Sequence, residues 1–170
     1  MDAITLLKTA FDASHSWYGG TVADVTEDVA NAVPAGTAHP IGSQMAHIVQ
    51  SEDAMINMVQ GRAPLWERDG YGQRLGLPLI LSQTAEGSRA FRLRPADLAD
   101  YTAAVHAQTK DYLDGLQPAD LDRDIDLSSW GIGAMPLGSV LTNFVLGNTF
   151  AHTGEISALK GTQGLRGYPF

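Results

Sequence analysis

The sequence predicts an all-α protein, a four-helix bundle with long loops between helices 2 and 3 and between helices 3 and 4. Three observations carry this. Four stretches of about twenty residues repeat apolar side chains at helical spacing. No comparable stretch shows the strict alternation of strands. Pro40, Gly61, Pro95 and Pro118 punctuate the ends of those stretches. A chain of 170 residues suits one domain, residues 1–170, and can bury a sizeable core.

The first helix is expected over residues 2–22. Asp2 can cap it, and Ile4, Leu7, Phe11, Tyr18 and Val22 form one face. His15 falls near the centre of that face. The plainer expectation is a core-edge histidine satisfied by one hydrogen bond; the sharper one is a polar group aimed into a shared cavity. Residues 21–36 read as one or two short turns closed by Pro34 and Gly36, with Asp24, Glu27 and Asp28 on a solvated face.

The second helix is expected from about residue 40 to 61. Ile41, Met45, Ile48, Met55, Ile56 and Val59 make its apolar face, with Glu52 among them. Periodicity puts His47 on the flank, and His39 reads as a loop histidine. Residues 62–94 are the least regular part, too long for an ordinary connection. Trp66 and Tyr71 there either line a ligand pocket or anchor the loop on the helices. Residues 79–94 are expected to form a lid or a short helix.

The third helix is expected over residues 95–116, with Leu98, Tyr101, Val105, Tyr112 and Leu116 as its core face. Asp97 in the first turn suits the helix dipole. His106 falls to the side and is expected to be exposed rather than a ligand. Residues 120–135 form a second loop, where the alternation in DLDRDIDL allows a short extended piece.

The fourth helix, residues 136–160, carries the strongest functional signal. Leu137, Leu141, Phe144, Val145, Ile156 and Leu159 define its stripe, and Asn148, His152 and Glu155 interrupt it. Spacings of four and three place these polar residues on one face. A buried polar group without a partner costs roughly 1–3 kcal/mol, so three in succession read as a site. The glycine-rich tail after it ends in aromatics and is expected to pack back on the bundle or to reach a partner subunit.

Composition narrows the chemistry. A net charge of −8 argues against nucleic acid and anionic membrane as partners. The chain has no cysteine, which excludes disulfides, thiolate nucleophiles and thiolate metal sites. No stretch is long and apolar enough to span a bilayer, and the first residues do not resemble a signal peptide, so a cytoplasmic location is expected. There is no His-Glu-x-x-His motif, no phosphate-binding glycine loop and no Gly-x-Ser-x-Gly elbow.

Two segments together resemble a known family. AHIVQSEDAMI, with His47, is similar to the first histidine motif of the DinB/YfiT-like superfamily, and NTFAHTGEISALKG is similar to its terminal motif. The resemblance extends over nearly the whole chain. It implies a four-helix bundle, a homodimer, and a three-histidine site for a divalent metal. It also implies kinship with thiol-dependent transferases and isomerases. His47 takes the first ligand position and His152 the last, while the middle position falls on Asn148. A neutral amide is a poor ligand for zinc or nickel, so Glu52, Glu155 or His15 would have to complete the shell.

Two functions are therefore expected. In one, a small ligand or low-molecular-weight thiol binds a metal-free His47–Asn148–His152 pocket, with Glu155, Glu52, His15, Trp66 and Tyr71 around it. In the other, His47 and His152 hold a zinc or nickel ion at partial occupancy for a thiol S-transferase, isomerase or hydrolase, with Glu155 orienting His152. Asn148 tips the balance to the first. A dimeric structural protein with no small-molecule role is the third alternative.

Overall fold

The computed structural model describes residues 2–76 and 84–170 and is mostly helical. Its long segments are α1 (Ala3–Val22), α3 (Ile41–Met58), α7 (Pro95–Asp114) and a final composite helix. The composite begins as α8 (Leu137–Val140), passes through a π-helical stretch (Leu141–Leu146) and continues as α9 (Gly147–Thr162). α1 packs on α9 and α7, and α3 packs on α7 and α9. Nothing in this arrangement conflicts with the expected bundle.

Local chemistry sets the helix limits. Asp2 accepts a 2.7 Å hydrogen bond from the Thr5 amide, capping α1. Pro95 stands in the first turn of α7, where its missing N–H costs nothing. α3 stops at Met58, and Gly61 turns the chain with φ of 66°, a conformation costly for any residue with a Cβ.

The connections hold short elements: α2 (Glu27–Asn31), α4 (Leu65–Arg68), α5 (Tyr71–Leu75) and α6 (Ala85–Ala90). The expected lid or short helix over 79–94 is thus partly seen as α6, and residues 79–83 lie outside the described residues. Asp53 on α3 pins the start of this region. Its carboxylate accepts hydrogen bonds from the Leu65 and Trp66 amides, both at 2.8 Å, and from the Tyr101 hydroxyl at 2.6 Å. The expected extended piece is β1 (Asp124–Asp126), antiparallel to β2 (Ala134–Pro136), with Ile125 opposite Met135. The tail packs back on α1: Phe170 lies 5.1 Å and Tyr168 6.1 Å from Trp17, centroid to centroid.

The core is divided. One apolar cluster gathers Leu7 and Phe11 of α1, Met55 and Ile56 of α3, Leu113 of α7, and Leu137, Leu141 and Val145 of the composite helix. The other gathers Tyr18 of α1, Met45 and Ile48 of α3, Leu98 and Val105 of α7, and Ile156 of α9. Polar side chains occupy the intervening turn of each helix: His15, Glu52, His106 with Thr109, and Thr149 with Thr153. Such a layer forgoes apolar burial worth roughly 1.5–3 kcal/mol per side chain, and unpaired polar groups add to that cost, as Thr153 Oγ1 does, which has no hydrogen-bond partner among the described residues. It is the feature that positions the site.

Candidate functional site

Two constellations emerge. The first joins α3 and α9. The His47 and His152 rings meet edge to face, 4.7 Å between centroids and 84° between planes. Asn148 Nδ2 lies 3.2 Å from His47 Nε2, and Ser51 Oγ lies 3.3 Å from the same nitrogen. His152 Nδ1 lies 2.7 Å from Glu155 Oε2, a contact that fixes the ring. Burial, followed by the neighbouring His152, lowers the His47 pKa to about 4, so this ring is neutral at physiological pH.

The structure thus brings His47, Asn148 and His152 together, and it corrects one sequence expectation. Glu155 does not lie on a core-facing stripe; its side chain is 57% exposed. The π-helical stretch is the reason. Its wider turn retards the register before α9, so the buried line continues through Thr149, Thr153, Ile156, Ser157 and Lys160. Asn148 and His152 stand on its half-buried flank.

The arrangement bears on the metal that the family resemblance implies. An imidazole binds a metal through the lone pair of an unprotonated ring nitrogen. His47 Nε2 already has two hydrogen-bond partners, Asn148 and Ser51. With a neutral amide as its third member, the set of two imidazoles and Asn148 is a poor fit for zinc or nickel. Asn148 Oδ1 is buried and has no hydrogen-bond partner among the described residues, which leaves an acceptor for something else.

The second constellation joins α1, α3 and α7. His15 Nε2 contacts both oxygens of Glu52, at 2.9 and 3.1 Å. Thr109 donates to Glu52 Oε1 at 2.6 Å. The His15 and His106 rings stack in parallel, 3.6 Å apart and 7° from coplanar. Glu52 is only 1% exposed. Desolvation alone would raise its pKa, but the His15 hydrogen bond and charge, with His106 and Thr109, bring it below its ordinary value. Burial lowers the His106 pKa to about 4, with His15 adding to the effect and Glu52 opposing it. One ligand atom from each of His15, Glu52 and His106 lies within 4.8 Å of the others, a grouping that could hold a metal ion.

His106 is the correction here. On its own helix it stands off the apolar face, as read, yet it is half-buried against His15 rather than exposed. Glu52 does not complete the shell around His47; its partners are on α1 and α7. Trp66 and Tyr71 both rest on Tyr101, with centroid distances of 5.9 and 4.9 Å. His39, read as a loop histidine, keeps its place before α3 but lies near enough to His47 to oppose its protonation. Its Nδ1 is buried without a hydrogen-bond partner among the described residues.

The model of the DinB superfamily matches residues 10–156 of this chain. No curated protein matches it. A conserved protein from Enterococcus faecalis has a similar solved structure, with a TM-score of 0.79 and 24% sequence identity. That match covers 94% of this chain and 96% of the other, and it speaks for the fold alone.

Proposed function

Because this chain belongs to the DinB superfamily, we propose that it is a small-ligand-binding member whose His47–Asn148–His152 site works without a bound metal. Its long helices form the family's four-helix bundle, and the protein acts as a homodimer. One observation carries the reading: Asn148 Nδ2 stands at 3.2 Å from His47 Nε2. The amide stands against the ring where the family's third imidazole would complete a metal's shell. A histidine at position 148 would offer a lone pair; the asparagine amide offers a proton instead.

The ligand that suits this site carries an S–H, O–H or N–H donor for the buried Asn148 Oδ1. A low-molecular-weight thiol meets that requirement, with Nε2 of His152 as a second contact. The alternative, a divalent-metal-dependent thiol S-transferase, isomerase or hydrolase, rests on the same orphaned Oδ1: a half-turn of the amide would present an oxygen instead of a proton to an ion held by His47 and His152.

Ring-nitrogen NMR spectra titrated with N-acetylcysteine test the proposal. Saturable shifts of His47 and His152 that disappear in Asn148→Ala are expected. Unmoved rings under N-acetylcysteine, or joint movement of His47 and His152 on adding zinc, would overturn it.

A further inference from the structure

We infer that His15, Glu52 and His106 form a second, separate centre: a site for a borderline transition ion, Zn2+ or Co2+, with its open coordination position facing the groove between α1 and α7. The inference is independent of what His47 and His152 bind.

The donor set is two imidazoles and one carboxylate. Mixed nitrogen and oxygen donors of this kind select zinc, cobalt, nickel or iron over calcium and magnesium. The carboxylate is the only one of the three that is fully buried, at 1% exposure, and it is held below its ordinary pKa. A buried anion needs an opposite charge or hydrogen-bond donors beside it, and a bound cation is one way to supply the charge. Thr109 donates at 2.6 Å to Glu52 Oε1, which orients the carboxylate as an outer-shell partner would, and an ion would take the place of the contacts that both oxygens make with His15 Nε2, at 2.9 and 3.1 Å.

The three protein ligands leave a fourth position, the arrangement of zinc sites that bind water or substrate. His15 and His106 both line a cavity of about 550 Å³. Its other walls include Val22, Val25, Met45 and Leu98, so a molecule reaching the ion would present an apolar body to them. The size is within the range of small-molecule pockets.

The stack sets a condition. An imidazole binds a metal in the plane of its ring, and an ion lying between two parallel rings 3.6 Å apart would be well out of both planes. One ring must turn. Both rings border the groove, but His15 Nε2 is held at Glu52, so His106 is the ring expected to turn. Loading therefore unstacks His106, which supplies a readout besides affinity.

The test is titration of the intact protein with Co2+, followed by its visible absorption and by histidine ring NMR. The expected result is one equivalent bound, with the bands of a four-coordinate ion that change when azide is added. His47→Ala and His152→Ala retain it. His106→Ala weakens binding by at least about 100-fold, beyond what loss of an outer-shell partner typically causes. Glu52→Gln does the same. Because Glu52 is buried and its variant can unfold, thermal melts accompany each variant, and His106→Ala decides if Glu52→Gln does not fold. No cobalt binding by the wild type would overturn the inference. So would binding lost in His152→Ala and retained in His106→Ala.

Discussion

Replacing His15 with alanine exposes how the polar layer is held together. Glu52 contacts His15 at 2.9 and 3.1 Å and Thr109 at 2.6 Å, and is 1% exposed. Without His15 a buried carboxylate keeps one hydroxyl donor. Stranding one partner of a buried pair typically costs about 3–5 kcal/mol. The lower end applies, because the His15 side chain is 16% exposed and water can enter its place. For a chain of this length, about 3 kcal/mol lowers Tm by roughly 6–12 °C. The assay is thermal and urea unfolding at neutral pH. His15→Ala/Glu52→Gln, which removes the stranded charge as well, is expected to be more stable than His15→Ala alone. The wild type has its own acid signature. The Glu52 pKa is held below its ordinary 4.5, so its contribution is complete above about pH 5 and is lost as pH falls through the lower folded value. A loss under about 1 kcal/mol in His15→Ala, or a double variant no more stable than the single one, would refute the account of Glu52 as a buried, paired anion.

Other predictions follow from the same geometry. His47 and His106, both lowered to about 4 from 6.5, stay neutral in NMR titrations down to about pH 5. The unfolded chain binds protons first, so these two residues make stability fall as pH drops from 6.5 towards 4, and glutamine at either position flattens that limb. Tyr101→Phe removes a 2.6 Å hydrogen bond to the Asp53 carboxylate and is expected to cost about 1.5–3 kcal/mol in chemical denaturation. Gly72→Ala would place a Cβ 2.5 Å from the Trp66 ring, so it displaces Trp66 from Tyr101, visible as a change in tryptophan fluorescence.

Much of the fold was legible because helix formation on an apolar core leaves a local trace. The observed limits of α1, α3 and α7 fall within a few residues of those read from periodicity, since Asp2, Gly61 and Pro95 act locally. Glu52 was visible as an acid inside an apolar stripe. The π-helical stretch was not, because its wider turn has no compositional mark; Gly147, whose Cβ would meet the Thr142 carbonyl at 3.3 Å, is the one residue that hints at it. His106 was misjudged because its helix alone assigns it to the side. Only the placement of α1 beside α7 stacks it on His15, and that is a tertiary property. His47 was read correctly as a flank residue, but its partner Asn148 sits 101 residues away, where spacing is silent and only the family resemblance linked the two.

The most direct measurement is the histidine ring spectrum of the wild-type protein in the presence of one equivalent of zinc. The account predicts that the His47 and His152 nitrogens stay where they are, with the Asn148–His47 contact intact, while those of His15 and His106 move. Coordinated shifts of His47 and His152, with His15 and His106 unchanged, would contradict it.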